Sequence, residues 1–478
     1  MSDSHDRLPS SSDESTIRYV NLYESEDKIY LRKISGFYQS LRRYTGLPLM
    51  LGFLLLPWLV IDARPAILFD LPARQFHILW VTFGPQDGIL LAWLLIISAF
   101  ALFTVTAFFG RVWCGFTCPQ TVWTLMFIWA EHVCEGDRNK RIKLDKSEWD
   151  LEKTTRKTAK FSLWFIISFI TGLTFVGYFY PVRDLLAGFV PYFDESGFLV
   201  FDSFTAIFWT LFFTAMTYMN AGFLREQVCK YMCPYARFQS VMYDNDTLAV
   251  HYDAARGENR GARKPEDDYT TTALGDCVDC SWCVQVCPVD IDIRDGLQYE
   301  CINCGLCVDA CNTVMDKMDY SRGLIRFTSE DELATGKTQF VRFRVFAYIG
   351  VLAIVMGLFV FTVANRQPVS VDVKRDRGSQ MFQVRQGNVH NIYRVKINNM
   401  QRGEQTYTIS LDAGLPFTIV KNRPVLLEEG EIYSVPIRVS IAEDRLTEIS
   451  TDITFIVTDV NNPAIKTQEK TRFIGPQQ

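Results

Sequence analysis

The spacing of cysteines between residues 277 and 311 constrains this chain more than any other feature. Eight of the thirteen cysteines fall there, in two runs of C-x2-C-x2-C-x3-C. The runs are Cys277, Cys280, Cys283 and Cys287, then Cys301, Cys304, Cys307 and Cys311. Bacterial two-cluster ferredoxins have this spacing, and the fourth cysteine of each run ligates the other cluster. The sequence therefore predicts an α+β ferredoxin-like domain with two [4Fe–4S] clusters.

The crossed pattern sets the predicted ligands of each cluster. One cluster is assigned to Cys277, Cys280, Cys283 and Cys311, and the other to Cys301, Cys304, Cys307 and Cys287. A pair of zinc sites built from CxxC units is the alternative, but zinc has no use for the duplicated third and fourth cysteines. A proline follows the last cysteine of the first run, whereas Asn312 occupies the equivalent position after the second run. This difference removes no ligand.

Apolar runs make this chain a predicted polytopic membrane protein. Hydrophobic residues make up 48% of the sequence, and several runs near 20 residues carry almost no charge. Five spans are expected, at about 46–61, 89–109, 161–180, 198–219 and 345–363. The net charge of −5 argues against a nucleic-acid-binding protein. The polar, acidic start is unlike a signal peptide.

The spans divide the chain into five predicted regions. They are a tail at 1–43, a membrane core at 44–243 with four spans, the ferredoxin-like domain at 244–339, the fifth span at 340–365, and a C-terminal domain at 366–478. The C-terminal domain alternates apolar and polar residues, so about seven short strands in an immunoglobulin-like all-β sandwich are expected. A small barrel is the alternative fold. His390, Met381 and Met400 are too scattered for a copper site, and a structural or docking role is preferred.

Basic residues near the spans predict the orientation. The 134–160 loop has nine Lys and Arg residues, whereas the 62–87 loop has two. The N-terminus and the clusters should therefore be cytoplasmic and the C-terminal domain periplasmic, in a bacterial inner membrane. All thirteen cysteines then lie on the reducing side or at its membrane edge.

A second cysteine motif, C-x3-C-P, occurs twice in the membrane core. It reads Cys114, Cys118 and Pro119, and again Cys229, Cys233 and Pro234, with the first cysteines 115 residues apart. An arginine precedes each copy, at Arg111 and Arg225. The repeat predicts a pseudo-symmetric membrane core with both pairs at the cytoplasmic face.

The proline suggests what each motif does locally. A residue before proline is disfavoured in a helix, so Cys118 and Cys233 should end one element and Pro119 and Pro234 should begin the next. A thiol at a helix start should have a lowered pKa, and paired thiolates make a soft site that favours Cu(I). Met216, Met219 and Met232 are candidate thioether ligands. Buried structural cysteine is the alternative. His132 is read as a helix-end histidine rather than as a ligand.

Taken together, these motifs resemble one family over the whole chain. They are WCGFTCPQTVW at 113–123, EGDRNKRIKLD at 135–145, VCKYMCPYARFQ at 228–239, YDAARGENRG at 252–261, the double cysteine run and the strand-rich C-terminus. The chain resembles the CcoG/FixG/RdxA family of cytochrome c oxidase accessory proteins. The membrane half is also similar to NapH-type quinol dehydrogenase subunits, which share paired C-x3-C-P motifs.

The resemblance implies a function. It implies reduction of Cu(II) to Cu(I) for the copper site of a cbb(3)-type oxidase, with copper, oxidase assembly factors or copper chaperones, and an unknown electron donor as partners. The family's cluster ligands fall on the eight cysteines above, and its paired membrane cysteines on Cys114, Cys118, Cys229 and Cys233. A quinol-linked electron-transfer subunit and a non-catalytic assembly scaffold are the alternatives. No nucleotide-binding motif is evident. The sequence leaves open whether copper binds one pair or both, whether the membrane core holds haem or quinol, and the oligomeric state.

Overall fold

A computed structural model describes most of the chain. The described residues are 28–61, 64–84, 87–193, 199–200, 203–265, 274–339, 341–365, 368–376, 382–401, 403–421, 423–446 and 448–476. Most of the predicted tail, residues 198, 201 and 202 of the predicted fourth span, and Met381 lie outside these residues.

Helices form the first half of the chain and connect its later domains. They are α1 (Phe37–Leu55), α2 (Gly88–Phe109), α3 (Val112–Phe116), α4 (Pro119–Cys134), α5 (Arg138–Lys146), α6 (Leu151–Gly177), α7 (Val182–Gly188), α8 (Phe204–Thr217), α9 (Pro234–Met242), α10 (Ala254–Gly257), α11 (Trp282–Gln285), α12 (Leu306–Met318), α13 (Glu330–Thr335) and α14 (Phe343–Ala364). Beyond α8, two wider π-type segments cover Tyr218–Leu224 and Val228–Met232.

Four helical segments of the described chain are long and apolar enough to cross a membrane. They are Gly88–Phe109, Leu151–Gly177, Phe204–Leu224 and Phe343–Ala364. These correspond to the second to fifth predicted spans. Gly172 brings α6 and α8 together, because a side chain there would meet Thr210 O at 2.7 Å and Thr214 Oγ1 at 2.7 Å.

The bounds predicted for the first span were wrong. Helix α1 begins at Phe37 and ends at Leu55, a short 3₁₀ turn containing Pro57 follows, and residues 60–61 are extended. The helix begins earlier than the apolar run because its polar first half packs on other parts of the protein. Arg42, for example, is buried, and its Nε donates to Gly115 O at 2.9 Å.

Short strands connect the membrane helices. They are β1 (Val60–Ile61), β2 (Arg64–Pro65), β3 (Ile67–Asp70), β4 (Gln75–Ile78), β5 (Val81–Phe83), β6 (Tyr192–Phe193) and β7 (Leu199–Val200). Strands β3 to β5 form an antiparallel sheet before α2. Gln75 Nε2 donates to Gly430 O at 2.7 Å, so this sheet contacts the C-terminal domain.

The cysteine-rich domain is built around one helix and one antiparallel strand pair. Strand β8 (Ala249–Tyr252) pairs with β9 (Ile325–Thr328), and α12 packs beside them. Val250, Met315, Leu324 and Ile325 are almost fully buried in this core. The cysteine-rich domain packs near the C-terminal end of α2, at Phe109. The C-terminal domain instead contacts the β3–β5 sheet, which precedes the N-terminal end of α2.

The C-terminal domain is a sandwich of two antiparallel sheets, as predicted. Its strands are β10 (Val369–Arg375), β11 (Gln383–Arg385), β12 (Asn388–Asn399), β13 (Gln405–Asp412), β14 (Thr418–Val420), β15 (Val425–Leu427), β16 (Ile432–Ala442), β17 (Ser450–Asp459) and β18 (Lys466–Ile474). One sheet has the order β10-β12-β16-β14, with β11 beside β12, and the other has β15-β13-β17-β18. Tyr393, Phe455 and Phe473 are fully buried between them.

Candidate metal centres

The structure places the eight clustered cysteines around two adjacent cavities. Cys277, Cys280, Cys283 and Cys311 line the first. The second is lined by Cys287, Cys301, Cys304 and Cys307, with Cys283 at its edge. Helix α12 explains the crossing, because it carries Cys307 and Cys311 one turn apart, each beside a different cavity. This arrangement is the one that the predicted crossed ligation requires.

The chemistry of these thiols fits an iron–sulfur cluster. Burial raises the pKa of Cys283, Cys301 and Cys311 to about 12 each, so the metal-free thiols are protonated at neutral pH. A metal centre would supply the positive charge that keeps buried thiolates ionised. Among the described residues no group of three or more His, Cys, Asp or Glu side chains is close enough to hold a single metal ion. Four cysteines line each cavity as one predicted ligand set, and a [4Fe–4S] cluster is held by four cysteine thiolates.

In both C-x3-C-P motifs a new helix begins at the proline, as predicted. Cys118 caps α4, which begins at Pro119, and Cys233 caps α9, which begins at Pro234. Before the break, Cys114 lies in α3, whereas Cys229 lies in a π-type segment.

The fold brings the two motifs together. The thiol of Cys114 interacts electrostatically with those of Cys118, Cys229 and Cys233. These four cysteines are called the membrane thiol set below. Burial, followed by the neighbouring sulfurs, raises the pKa of Cys114 to about 12 and that of Cys229 to about 11.

Hydrogen bonds from the two arginines also link the repeats to each other. Arg111, in the first repeat, donates to Ala236 O in α9 of the second. Arg225, in the second, donates to Glu131 Oε1 in α4 of the first at 2.6 Å. Each arginine thus reaches the helix that follows the other motif.

The structure corrects the predicted equivalence of these arginines. The chain turns with positive φ at Gly110 (56°) and at Arg225 (37°), each four residues before the first cysteine of its motif. Gly110, not Arg111, is therefore the counterpart of Arg225. The turn needs a left-handed backbone, which glycine adopts without strain and arginine adopts only when held by contacts.

The membrane thiol set lies against the second cluster cavity. A Cβ on Gly115 would lie 2.6 Å from Ile302 O and 3.0 Å from Cys304 Cα, so only glycine fits there. Cys114 packs in one apolar cluster with Cys301 and Cys304. The two cysteine motifs, far apart in sequence, therefore form adjoining sites.

A buried ionic network supports the first motif. Glu131 is 1% exposed and binds Arg141 Nη1 at 2.6 Å as well as Arg225. Burial opposes its ionisation, but Arg225 and Arg141 overcome this and hold its pKa below the ordinary value. One turn on, Glu135 forms ion pairs with Lys157 Nζ at 2.9 Å and Lys160 Nζ at 3.0 Å.

The sequence offers three methionines as candidate thioether ligands and predicts no ligand role for two histidines. Met216, Met219 and Met232 are 43%, 44% and 62% exposed, unlike the buried Cys114. His132 lies in the last turn of α4, in keeping with a helix-end position. His390 lies in β12 of the sandwich, far along the chain from any cysteine.

Sequence reasoning missed Asp309, which joins the cluster domain to α1. Its carboxylate, 5% exposed, accepts from the backbone of Tyr38 at 3.2 Å and of Gln39 at 2.8 Å. These are free N–H groups in the first turn of α1, so a residue 271 positions away acts as the helix cap. No local pattern could reveal a cap from another domain.

We expect Asp309→Ala to destabilise the protein by about 1–2 kcal/mol, because it removes a charged cap from buried donors. Unfolding midpoints in detergent measure the effect. Asp309→Asn keeps one acceptor and should lose less. Equal losses in both variants would contradict the capping role.

The fold and these centres together define a membrane-embedded iron–sulfur protein of the electron-transfer class. Comparison with known proteins gives the family. Residues 224–330 match a 4Fe–4S dicluster domain, 91–130 match a 4Fe–4S binding domain, and 359–476 match the IG-like fold at the C-terminal of FixG. The chain belongs to the FixG/RdxA family.

Its relatives align over most of their length. The nitrogen fixation protein FixG of Rhizobium meliloti is 33% identical over 91% of this chain and 87% of its own. RdxB of Cereibacter sphaeroides is 37% identical over 82% of this chain and 83% of its own length. RdxA of the same organism is 34% identical over 92% of this chain and 96% of its own length. A crystal structure of a FixG-related protein from Vibrio parahaemolyticus is 30% identical over 23% of this chain and 97% of its own, with a TM-score of 0.21.

Proposed function

We propose that this protein reduces Cu(II) to Cu(I) at the membrane thiol set, as a step in building the copper site of a cbb(3)-type oxidase. The proposal places the cluster domain in the cytoplasm and the sandwich in the periplasm of a bacterial inner membrane. Its expected partners are copper chaperones or oxidase assembly factors.

One observation carries the proposal: Cys114 and the cluster ligands Cys301 and Cys304 share one buried contact region. When bound, the two clusters supply electrons one at a time, and conversion of Cu(II) to Cu(I) takes one electron. Copper here is the substrate, and soft thiolates favour the Cu(I) product over Cu(II).

The chain's own groups would control the site. Copper would displace the protons of Cys114 and Cys229, whose raised pKa values keep them as thiols until a metal arrives. The cross-repeat bonds of Arg111 and Arg225 would fix the distance between the two cysteine pairs.

A second candidate is a further polynuclear centre on the same four thiols. It is favoured by the match of residues 91–130, which include Cys114 and Cys118, to a 4Fe–4S binding domain. The protein would then be an electron-transfer chain with three centres, in line with the quinol-linked alternative. The scaffold alternative requires no electron transfer at all.

A single-turnover assay separates these functions. Purified protein is reduced anaerobically, freed of reductant and mixed with Cu(II) and a Cu(I)-specific chromophore. We expect Cys233→Ala and Cys301→Ala each to lower the yield of Cu(I) by at least about tenfold, since each removes a predicted metal ligand. Cys134→Ala is the matched control, because Cys134 ends α4 outside the membrane thiol set.

Two results would count against copper reduction. Normal Cu(I) yield in Cys301→Ala would show that the cluster beside the membrane thiol set is not needed. Loss of iron and sulfide from Cys233→Ala, measured by metal analysis, would favour the third-centre candidate instead.

A further inference from the structure

A cavity of about 700 Å³ lies where the membrane helices meet the cluster domain. Helices α1 and α4 form two of its walls, with Met50 and Leu125 among the apolar lining. Pro288 and Ile302, each next to a predicted cluster ligand, form the inner end together with Cys229 of the membrane thiol set. The cavity thus reaches one cysteine of the membrane thiol set and the direct sequence neighbours of two predicted cluster ligands.

The outer side of the cavity faces the surface that lipid would cover. Leu47 on α1 is 47% exposed, and Trp129 and Val133 on α4 are 56% and 60% exposed. All three line the cavity. A ligand carried in the membrane could enter between these helices without crossing water.

Two buried polar atoms at the inner end lack partners. Gln39 is 8% exposed, and its Oε1 has no hydrogen bond. His132 Nε2 is also buried without a hydrogen bond. An unsatisfied buried acceptor is costly, and a ligand hydroxyl would satisfy it. Burial, with help from Arg141, lowers the pKa of His132, which keeps the ring neutral and able to accept a proton.

The cations around the cavity are mostly engaged elsewhere. Three of the five Lys and Arg side chains in the lining have partners: Arg42 donates to Gly115 O, Arg225 is paired with Glu131, and Arg32 lies over the Trp282 ring at 3.6 Å. The other two, Lys33 and Arg43, are exposed. The inner end therefore offers hydrogen bonds rather than a free charge for a buried phosphate. A weakly polar ring with hydroxyl groups and a long apolar tail fits these features better than a phospholipid head group does.

We propose that this cavity binds an isoprenoid quinol from the membrane, which is the electron donor to the clusters. The quinol hydroxyls donate to Gln39 Oε1 and His132 Nε2, and the tail leaves between α1 and α4. This inference rests on the proposed function, because it supplies the electrons that Cu(II) reduction consumes.

The step balances. Oxidation breaks two O–H bonds of the quinol and leaves a quinone, two protons and two electrons. The eight predicted cluster ligands would hold the acceptors of these electrons, and two bound clusters would have room for one electron each. His132 Nε2 accepts the proton of the hydroxyl that it binds and passes it towards Asp137, whose Oδ1 lies 3.8 Å away and whose side chain is 56% exposed to water. The amide oxygen of Gln39 cannot take up a proton, so the second hydroxyl releases its proton to water.

A photoreactive azidoquinone with a short isoprenoid tail tests the site. It is applied to the full-length protein with its clusters, in phosphatidylcholine nanodiscs, and labelled peptides are identified by mass spectrometry. We expect labels on α1 and α4, competed by unlabelled quinol. Leu125→Trp, which fills the cavity, should reduce labelling at least about tenfold. Leu95→Trp, at a 62% exposed position on α2, is the matched control and should label normally.

Gln39→Leu tests the hydrogen bond separately. Loss of the hydrogen bond to Gln39 Oε1 should weaken quinol binding by about fivefold to tenfold, the usual effect of one net hydrogen bond. Leucine suits the buried position, because the glutamine oxygen has no partner there to lose. Addition of quinol to the oxidised protein should also bleach the cluster absorption, and Leu125→Trp should prevent this.

The possible outcomes are distinct from those of the copper assay. Equal labelling of Leu125→Trp and Leu95→Trp would overturn the quinol site, as would displacement of the label by cardiolipin but not by quinol. If Cu(II) reduction by chemically reduced protein remained normal in that case, the proposed function would survive. Specific labelling without Cu(II) reduction would leave the quinol site standing and remove copper as the acceptor.

Discussion

Replacing Cys311 by alanine is expected to remove the cluster served by Cys277, Cys280 and Cys283, and to leave the other cluster in place. The reason is the crossed arrangement in which Cys311 lines the first cavity although it follows the second run in sequence. Half of the cluster iron should therefore be lost. Cys287→Ala should remove the other half, because Cys287 lines the second cavity.

Double variants make this prediction specific. Cys311→Ala combined with Cys277→Ala should lose no more iron than either single variant, since both remove ligands from one cluster. Cys311→Ala combined with Cys301→Ala should lose all of it. Iron analysis and EPR of the reduced protein measure both results. The reverse pattern, in which the pair with Cys301 loses only half, would show that each run ligates its own cluster.

Glu131→Gln is expected to destabilise the protein by about 3–5 kcal/mol, the typical cost of breaking a buried ion pair from one side. Glu131 accepts from both Arg141 and Arg225 at 2.6 Å and is almost completely buried. The amide would leave two buried guanidinium groups without their counter-charge. Because Arg225 links the two repeats, the variant should also make the cysteines of the membrane thiol set more accessible.

Unfolding in detergent and the accessibility of Cys114 to a thiol reagent measure these two effects. The matched control is Glu152→Gln, which breaks an exposed pair with Arg156 at 2.8 Å and should cost less than about 0.5 kcal/mol. A similar loss of stability in both variants would mean that the buried network contributes no more than a surface pair.

The features that the sequence predicted well are those set by local spacing or by proline. The cysteine runs predicted which side chains gather around each cavity, and the C-x3-C-P motifs predicted the breaks at Pro119 and Pro234. Long apolar runs likewise located α2 and α14 to within two residues. In each case the signal lies within a few neighbouring residues.

Features set by contacts between distant segments were missed or misplaced. About seven strands were predicted in the C-terminal domain, whereas its described residues form nine. Strand β18 has a weak sequence signal, because KTQEKTRFI is polar along most of its length and pairs at the sheet edge. The capping role of Asp309 depends on the docking of α1. The arginines were aligned one residue out of register, because Arg225 fills a backbone position that glycine fills in the first repeat.

The bonds that cross between the repeats also order the assembly of the protein during synthesis. Cys114 and Cys118, half of the membrane thiol set, are synthesised first. The side chain of Arg111 in the same repeat has no acceptor for its hydrogen bond until Ala236 has been made. Gly115 gains its packing surface later still, when residues 302–304 fold. A nascent chain that has not reached Cys229 therefore carries only a two-thiol site, and the complete set of four gains its packing surface only after residues 302–304 have been translated.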